Sequence, residues 1–205
     1  MAISRTNLID RKANVRDSRL YIIATEGEVT EKQYFEMFKH PRVKVHVLPT
    51  QADHKSAPAH LISRLSDFKE TYDIAKNDQL WLVFDVDHRK QKELDTVCRL
   101  ATQKRFQLSI SNPCFELWLL LHKADAIPSA GKCGEIEAQL RALMGQYNKT
   151  NIDLSQFEPG INDAIRRAKQ LDTNRQSRWP ADTGTHLYKL VESLIQFTSG
   201  GKTSA

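Results

Sequence analysis

Residues 79–87 read QLWLVFDVD, five apolar residues in a row closed by two aspartates one residue apart. A run with no polar face to alternate against reads as a strand buried on both sides, the kind a parallel sheet takes when helices cover it. Its neighbours agree. Upstream, APAHLISRLSDFKETYDIAK (57–76) places Leu61, Leu65 and Phe68 at helical spacing; downstream, KELDTVCRLATQKR (92–105) is helical and FQLSIS (106–111) is a short strand. Nearer the start, RLYIIAT (19–25) reads as a buried strand and EKQYFEMFKH (31–40) as a helix capped by Thr30. RVKVHVLP (42–49) alternates as an edge strand does. Strand and helix in alternation predict an α/β fold with a parallel four-stranded sheet in the order 2-1-3-4. Beyond Ser111 the pattern becomes helical: PCFELWLLLHK (113–123), CGEIEAQLRALMGQY (133–147), PGINDAIRRAKQLDT (159–173) and GTHLYKLVESLIQF (184–197), read as helices covering one side of the sheet. In the first of these, Asn112 is the expected cap and Pro113 the expected first-turn residue.

The chain has 205 residues, 40% hydrophobic and 27% charged, a globular composition. The predicted division is a basic arm over 1–18, an α/β core over 19–122, a helical extension packed on it over 123–198, and a flexible tail over 199–205. No run approaches the ~20 apolar residues of a membrane span, and the first residues lack the apolar core of a signal peptide, so the expectation is a cytoplasmic protein with no membrane contact. Three cysteines, Cys98, Cys114 and Cys133, without CxxC spacing suggest neither a disulfide framework nor a zinc site; they read as reduced and structural. The net charge of +5 is scattered along the chain, which suits a polyanionic partner and equally suits solvated helix faces.

The chemistry lies at the strand ends. In an open parallel sheet, ligands bind beyond the carboxyl ends of the strands, near the switch in strand order. EGEVTE (26–31) follows the first strand and DVD (85–87) closes the third, so the 2-1-3-4 order makes them neighbours. Asp85 and Asp87 project to one side of an extended segment and Glu26 meets them across the gap. Strand-to-helix turns favour Asp on their own account; the Glu at the equivalent place on a second strand is what points further. Carboxylates this close repel unless compensated, and oxygen-rich sites with open positions suit Mg²⁺ or Mn²⁺. Glu116, near the start of a helix that is apolar all round, is a buried acid that needs a metal, an Arg or a backbone N–H. His88, Arg89 and Lys90 are candidates for contacting a phosphate, and Lys149 and Lys189 for supplying a cation to it, against the ordinary reading of solvated surface groups.

The segments IIATEGEVTEKQYF, WLVFDVD and SNPCFELWLLLH together resemble the RloB-like family, a compact relative of the TOPRIM domains of topoisomerases, primases and OLD-family nucleases. The match runs from about Arg19 to His122. The resemblance implies a TOPRIM-like sheet in which Glu26 is an acid/base or metal ligand and Asp85 and Asp87 bind Mg²⁺. Glu31 corresponds to the second acid of the OLD-type element, one residue further from Glu26 than in the compact form. It also implies a Mg²⁺-dependent nuclease acting on DNA or RNA, tRNA included, as an effector of antiphage defence. Glu26, Asp85 and Asp87 would be catalytic, Glu31 and Glu116 would hold a second metal or support the first, and a neighbouring AAA or SMC-like ATPase would gate the site by docking on the helices after Ser129. The competing readings are a nucleic-acid-binding or ATPase-regulating subunit with a degenerate site and, more remotely, a haloacid-dehalogenase phosphatase suggested by FDVDH (84–88). There is no Gly-x-x-x-x-Gly-Lys-Ser/Thr phosphate loop.

Overall fold

The computed structural model describes residues 18–48, 58–87, 89–128, 132–145 and 147–199. The element order is β1 (Arg19–Thr25), α1 (Thr30–Phe35), β2 (Val43–Leu48), α2 (Pro58–Thr71), β3 (Gln79–Asp85), α3 (Gln91–Lys104), β4 (Gln107–Asn112), α4 (Glu116–Leu121), α5 (Cys133–Met144), α6 (Ile161–Leu171), β5 (Gly184–Thr185) and α7 (Leu187–Ser199). The sheet runs β2-β1-β3-β4-β5, so the predicted 2-1-3-4 order is present. It carries a fifth strand the sequence did not suggest. β5 is two residues long and antiparallel, pairing Gly184 with Asn112 and Thr185 with Ser111. A strand this short has no periodicity of its own and exists only through its partner.

Alternation along β1 and β3 divides the core in two. Tyr21, Ile23, Trp81 and Val83 face α1 and the later helices, packing with Phe35, Phe115, Trp118, Leu190 and Leu194. Leu20, Ile22, Leu82 and Phe84 face α2 and α3, packing with Leu61, Leu65, Leu94 and Val97. The later helices do lie on one side of the sheet, shared with α1. Both faces of β1 and β3 are thereby covered, which is why their sequences are apolar throughout.

Three local expectations are corrected. α1 ends at Phe35, before the sequence EMFKH, and Thr30 is its first residue rather than its cap: the Oγ1 of Thr30 donates to the Lys149 carbonyl at 2.9 Å. Asn112 and Pro113 do not open α4. The peptide between them is cis, α4 begins at Glu116, and the Asn112 amide donates to the carbonyls of Pro180 (3.0 Å) and Ala181 (3.1 Å). Cys114 and Cys133 are joined in a disulfide, with Cα atoms 5.8 Å apart and a sequence separation of 19, while Cys98 is free and buried. Packing of α4 against α5 brings the two sulfurs together, so no local spacing could announce them. All but Ser18 of the expected arm and all but Ser199 of the expected tail lie outside the described residues, as does His88.

A candidate metal and phosphate site

The carboxyl ends of β1, β3 and β4 are locked side by side by backbone bonds that continue past the strands. Glu26 N–H donates to Val83 O (3.0 Å), Val86 N–H to Ser111 O (2.8 Å) and Asp87 N–H to Pro113 O (3.2 Å). From α2, the buried guanidinium of Arg64 donates to the last carbonyls of β1 and β2, Thr25 O and Leu48 O, closing those strand ends. The chain after β1 turns away through Gly27. A methyl group there would fall 2.0 Å from the Glu31 carboxyl group, whose Oε1 accepts from the Gly27 N–H at 3.1 Å. Only a residue without a side chain lets Glu31 fold back this closely. Asp87 takes a positive φ of 37°, a conformation Asp tolerates better than most residues. The result is a cleft of about 390 Å³ lined by Glu26, Glu31, Asp85, Asp87, Glu116 and Lys149, with Cys114 and Cys133 along one wall.

Charge in this cleft is only partly balanced. Glu26 Oε2 accepts from the Asp85 N–H at 3.3 Å and its Oε1 pairs with Arg89, whose guanidinium also donates to Asp85 O (3.0 Å) and Glu93 (3.2 Å). Burial still raises the Glu26 pKa above the usual carboxylate value, against the lowering by Arg89. Glu31, buried beside two other acids, is raised to about 7, mainly by desolvation. Asp85 is raised well above the ordinary value, first by burial and then by the charges of Glu31, Glu26 and Glu116, although it accepts a hydrogen bond from the Phe115 N–H. Acids held in a protonated or half-protonated state by one another are what a divalent cation would relieve. The donor set, carboxylate oxygens from separate strand ends opening on a cleft, fits a hard cation such as Mg²⁺ or Mn²⁺.

Across the cleft Glu116 is compensated differently. Its Oε1 lies 2.8 Å from Lys149 Nζ, and the same ammonium reaches Glu137 Oε1 at 2.6 Å. The buried acid foreseen in α4 is therefore salt-bridged to a lysine on the loop after α5. That loop is fastened to α1: Gln33 Nε2 donates to Thr150 O (2.7 Å) and Gln33 Oε1 accepts from Ile152 N–H (2.8 Å).

Glu26, Glu31, Asp85, Asp87 and Glu116 thus line one cleft, as their positions at strand ends and a helix start foretold. Arg89 turns inward to Glu26 rather than outward to a ligand, and Lys90 is exposed just ahead of α3. Lys189 lies elsewhere, beside Asp172 at 3.8 Å. Sequence reasoning missed Arg64, Glu137 and the sulfur pair; of these only Arg64, a charge within the apolar face of α2, left a sign in the pattern. His122, just past α4, is a packing residue. Its Nδ1 must donate to the Phe157 carbonyl at 2.7 Å, which leaves Nε2 to accept the Tyr34 hydroxyl at 3.2 Å, and burial lowers its pKa to about 4.

No curated protein and no solved structure matches the chain. A family model described as RloB-like protein matches residues 21–194, from the third residue of β1 into α7 and so across both walls of the cleft. By that match, which spans most of its length, the chain belongs to the RloB-like family.

Proposed function

We propose that this chain is a Mg²⁺-dependent nuclease of TOPRIM type that hydrolyses phosphodiester bonds in DNA or RNA, tRNA included, and serves as an effector of antiphage defence. The observation that carries the reading is the convergence of Glu26, Asp85, Asp87 and Glu31 in one cleft, where burial and neighbouring acids raise the pKa of Glu31 and Asp85. Glu26, Asp85 and Asp87 would hold the cation and Glu31 would back them. Bound there, Mg²⁺ (or Mn²⁺) supplies neutralisation of the phosphate charge and acidification of a water molecule. The protein's own groups do the rest. Glu31, whose pKa burial raises to about 7 while the cleft holds no cation, gains a counter-charge when the metal binds beside it. Arg89 orients the Glu26 carboxylate while the Asp85 N–H holds its second oxygen. Lys149, fixed by Glu116 and Glu137, supplies positive charge on the opposite wall, where a bridging or leaving oxygen would need it. Glu116, already engaged by Lys149, supports the site through that lysine.

Control by a separate ATPase, of AAA or SMC-like type, belongs to the same reading, since no phosphate loop couples this chain to nucleotide hydrolysis. The test is incubation of the purified protein with DNA and total tRNA in Mg²⁺, Mn²⁺ or EDTA, with and without the products of neighbouring genes. Cleavage that needs the metal and vanishes in Asp85→Asn supports the proposal. Metal-independent nucleic-acid binding without cleavage in every combination favours a non-catalytic subunit.

A further inference from the structure

We infer that the reduced chain carries a second metal site, for Zn²⁺, formed by the sulfurs of Cys114 and Cys133 with the Glu116 carboxylate. One ligand atom from each of the three lies within 4.8 Å of the others. Cys133 Sγ is 3.6 Å from Glu116 Oε2 and 3.6 Å from Glu137 Oε1. Glu116 is only 6% exposed, and its two oxygens are in unlike settings. Oε1 is satisfied by Lys149, whereas Oε2 faces a disulfide sulfur that has no proton to give. A buried carboxylate oxygen aimed at a sulfur pair is poorly served by a disulfide and well served by a cation between them.

Two thiolates and a carboxylate are a borderline-soft donor set, which selects Zn²⁺ over the hard ions favoured by the all-oxygen cluster beside it. Lys149 then acts as the outer partner that fixes the ligating carboxylate through its other oxygen. Glu137 or a water from the cleft completes four-coordination. The disulfide excludes this metal. A dithiol reductant transfers two electrons to the Cys114–Cys133 bond by thiol–disulfide exchange, becoming a cyclic disulfide itself and leaving two thiols. Zn²⁺ then displaces the two thiol protons to solvent. Site and disulfide are alternative states of the same two sulfurs, so metal occupancy reports the redox condition of a wall of the candidate catalytic cleft.

The test uses the full chain, reduced with excess dithiothreitol, desalted anaerobically and titrated with Co²⁺ and then Zn²⁺. A thiolate-to-cobalt charge-transfer band that saturates at one Co²⁺ per chain and is abolished by Zn²⁺ is expected from the reduced protein and not from the oxidised one. Cys114→Ser and Cys133→Ser should each lose the band. Glu116→Gln should weaken Zn²⁺ affinity on the order of tenfold to a hundredfold. Asp85→Asn should keep the band, so failure here and failure of the Mg²⁺ reading are told apart. Should a serine variant fold poorly, alkylation decides: Zn²⁺ should protect both thiols of the reduced parent chain. Absence of the band from the reduced protein, its persistence in both serine variants, or unprotected thiols in saturating Zn²⁺ overturns the site.

Discussion

Asp85 sits where three other carboxylates act on it, and its substitution separates folding from function. Folding the metal-free chain near neutral pH forces a proton onto Asp85 against burial and the charges of Glu31, Glu26 and Glu116, and Asp85→Asn removes that cost, so the variant should gain about 1–2 kcal/mol. Activity should fall at least about a hundredfold. Melting in EDTA and in Mg²⁺ checks both halves, because the parent should be stabilised by Mg²⁺ and the variant should not. An equal Mg²⁺ shift in the two proteins would mean the ion binds elsewhere. Glu31 gives the pH signature. Its pKa rises from 4.5 to about 7 on folding, so the folded state holds the proton more tightly. That contribution to stability is present below pH 4.5 and is lost as pH rises through about 7, a swing of about 3 kcal/mol for the metal-free chain. Denaturant titrations across this window should show the decline, and saturating Mg²⁺ should flatten it.

The acids were legible at this scale because hydrophobic runs locate strand ends and strand ends locate ligands. Arg89 was read as a group for phosphate contact because sequence gives residue type and not direction; its side chain turns back over the end of β3 to Glu26.

Among elements, the end of α4 fits closely against the turn that precedes α6. A methyl group on Gly160 would approach His122 O to 2.5 Å and His122 Cβ to 3.1 Å. The same His122 is held by Phe157 O and Tyr34, so neither partner can withdraw without breaking the aromatic cluster of Tyr34, Phe115 and Trp118. Gly160→Ala should therefore cost about 1–3 kcal/mol. A guanidinium melt with an unchanged slope and a lowered midpoint is the expected record; an unaltered midpoint would show that the turn relaxes freely. Long elements such as α2, α3 and β3 were readable because their periodicity is sustained. The boundaries of α1 and α4 were not. Their capping side chains were claimed by distant carbonyls, Thr30 by Lys149 and Asn112 by Pro180 and Ala181, and tertiary bonds of this kind override local capping rules.

For the whole molecule, the sheet is held on one face by helices contributed from the far end of the chain. Leu190 of α7 is fully buried against that face. Leu190→Ala should cost about 2–5 kcal/mol and lower the response to Mg²⁺ only in proportion to unfolding, which thermal melts at several metal concentrations can resolve. Among the described residues no helix is long and apolar enough to cross a membrane. If a partner ATPase gates the cleft from the helices after Ser129, co-expression with neighbouring genes should retain it in pull-downs with ATP present. A fully active isolated protein that captures no such neighbour would leave a stand-alone enzyme.

The fastening of the 149–152 loop to α1 also bears on timing. Thr30 and Gln33 take their partners about 120 residues further along the chain, and Lys149 reaches Glu116 and Glu137 only from that loop. On a ribosome that makes the chain from its first residue onward, β1 to β4 emerge and can pair while this wall of the cleft is still missing. A nascent chain therefore carries Glu116 well before it carries the lysine that pairs with it, and this wall of the cleft cannot close until synthesis has passed that loop.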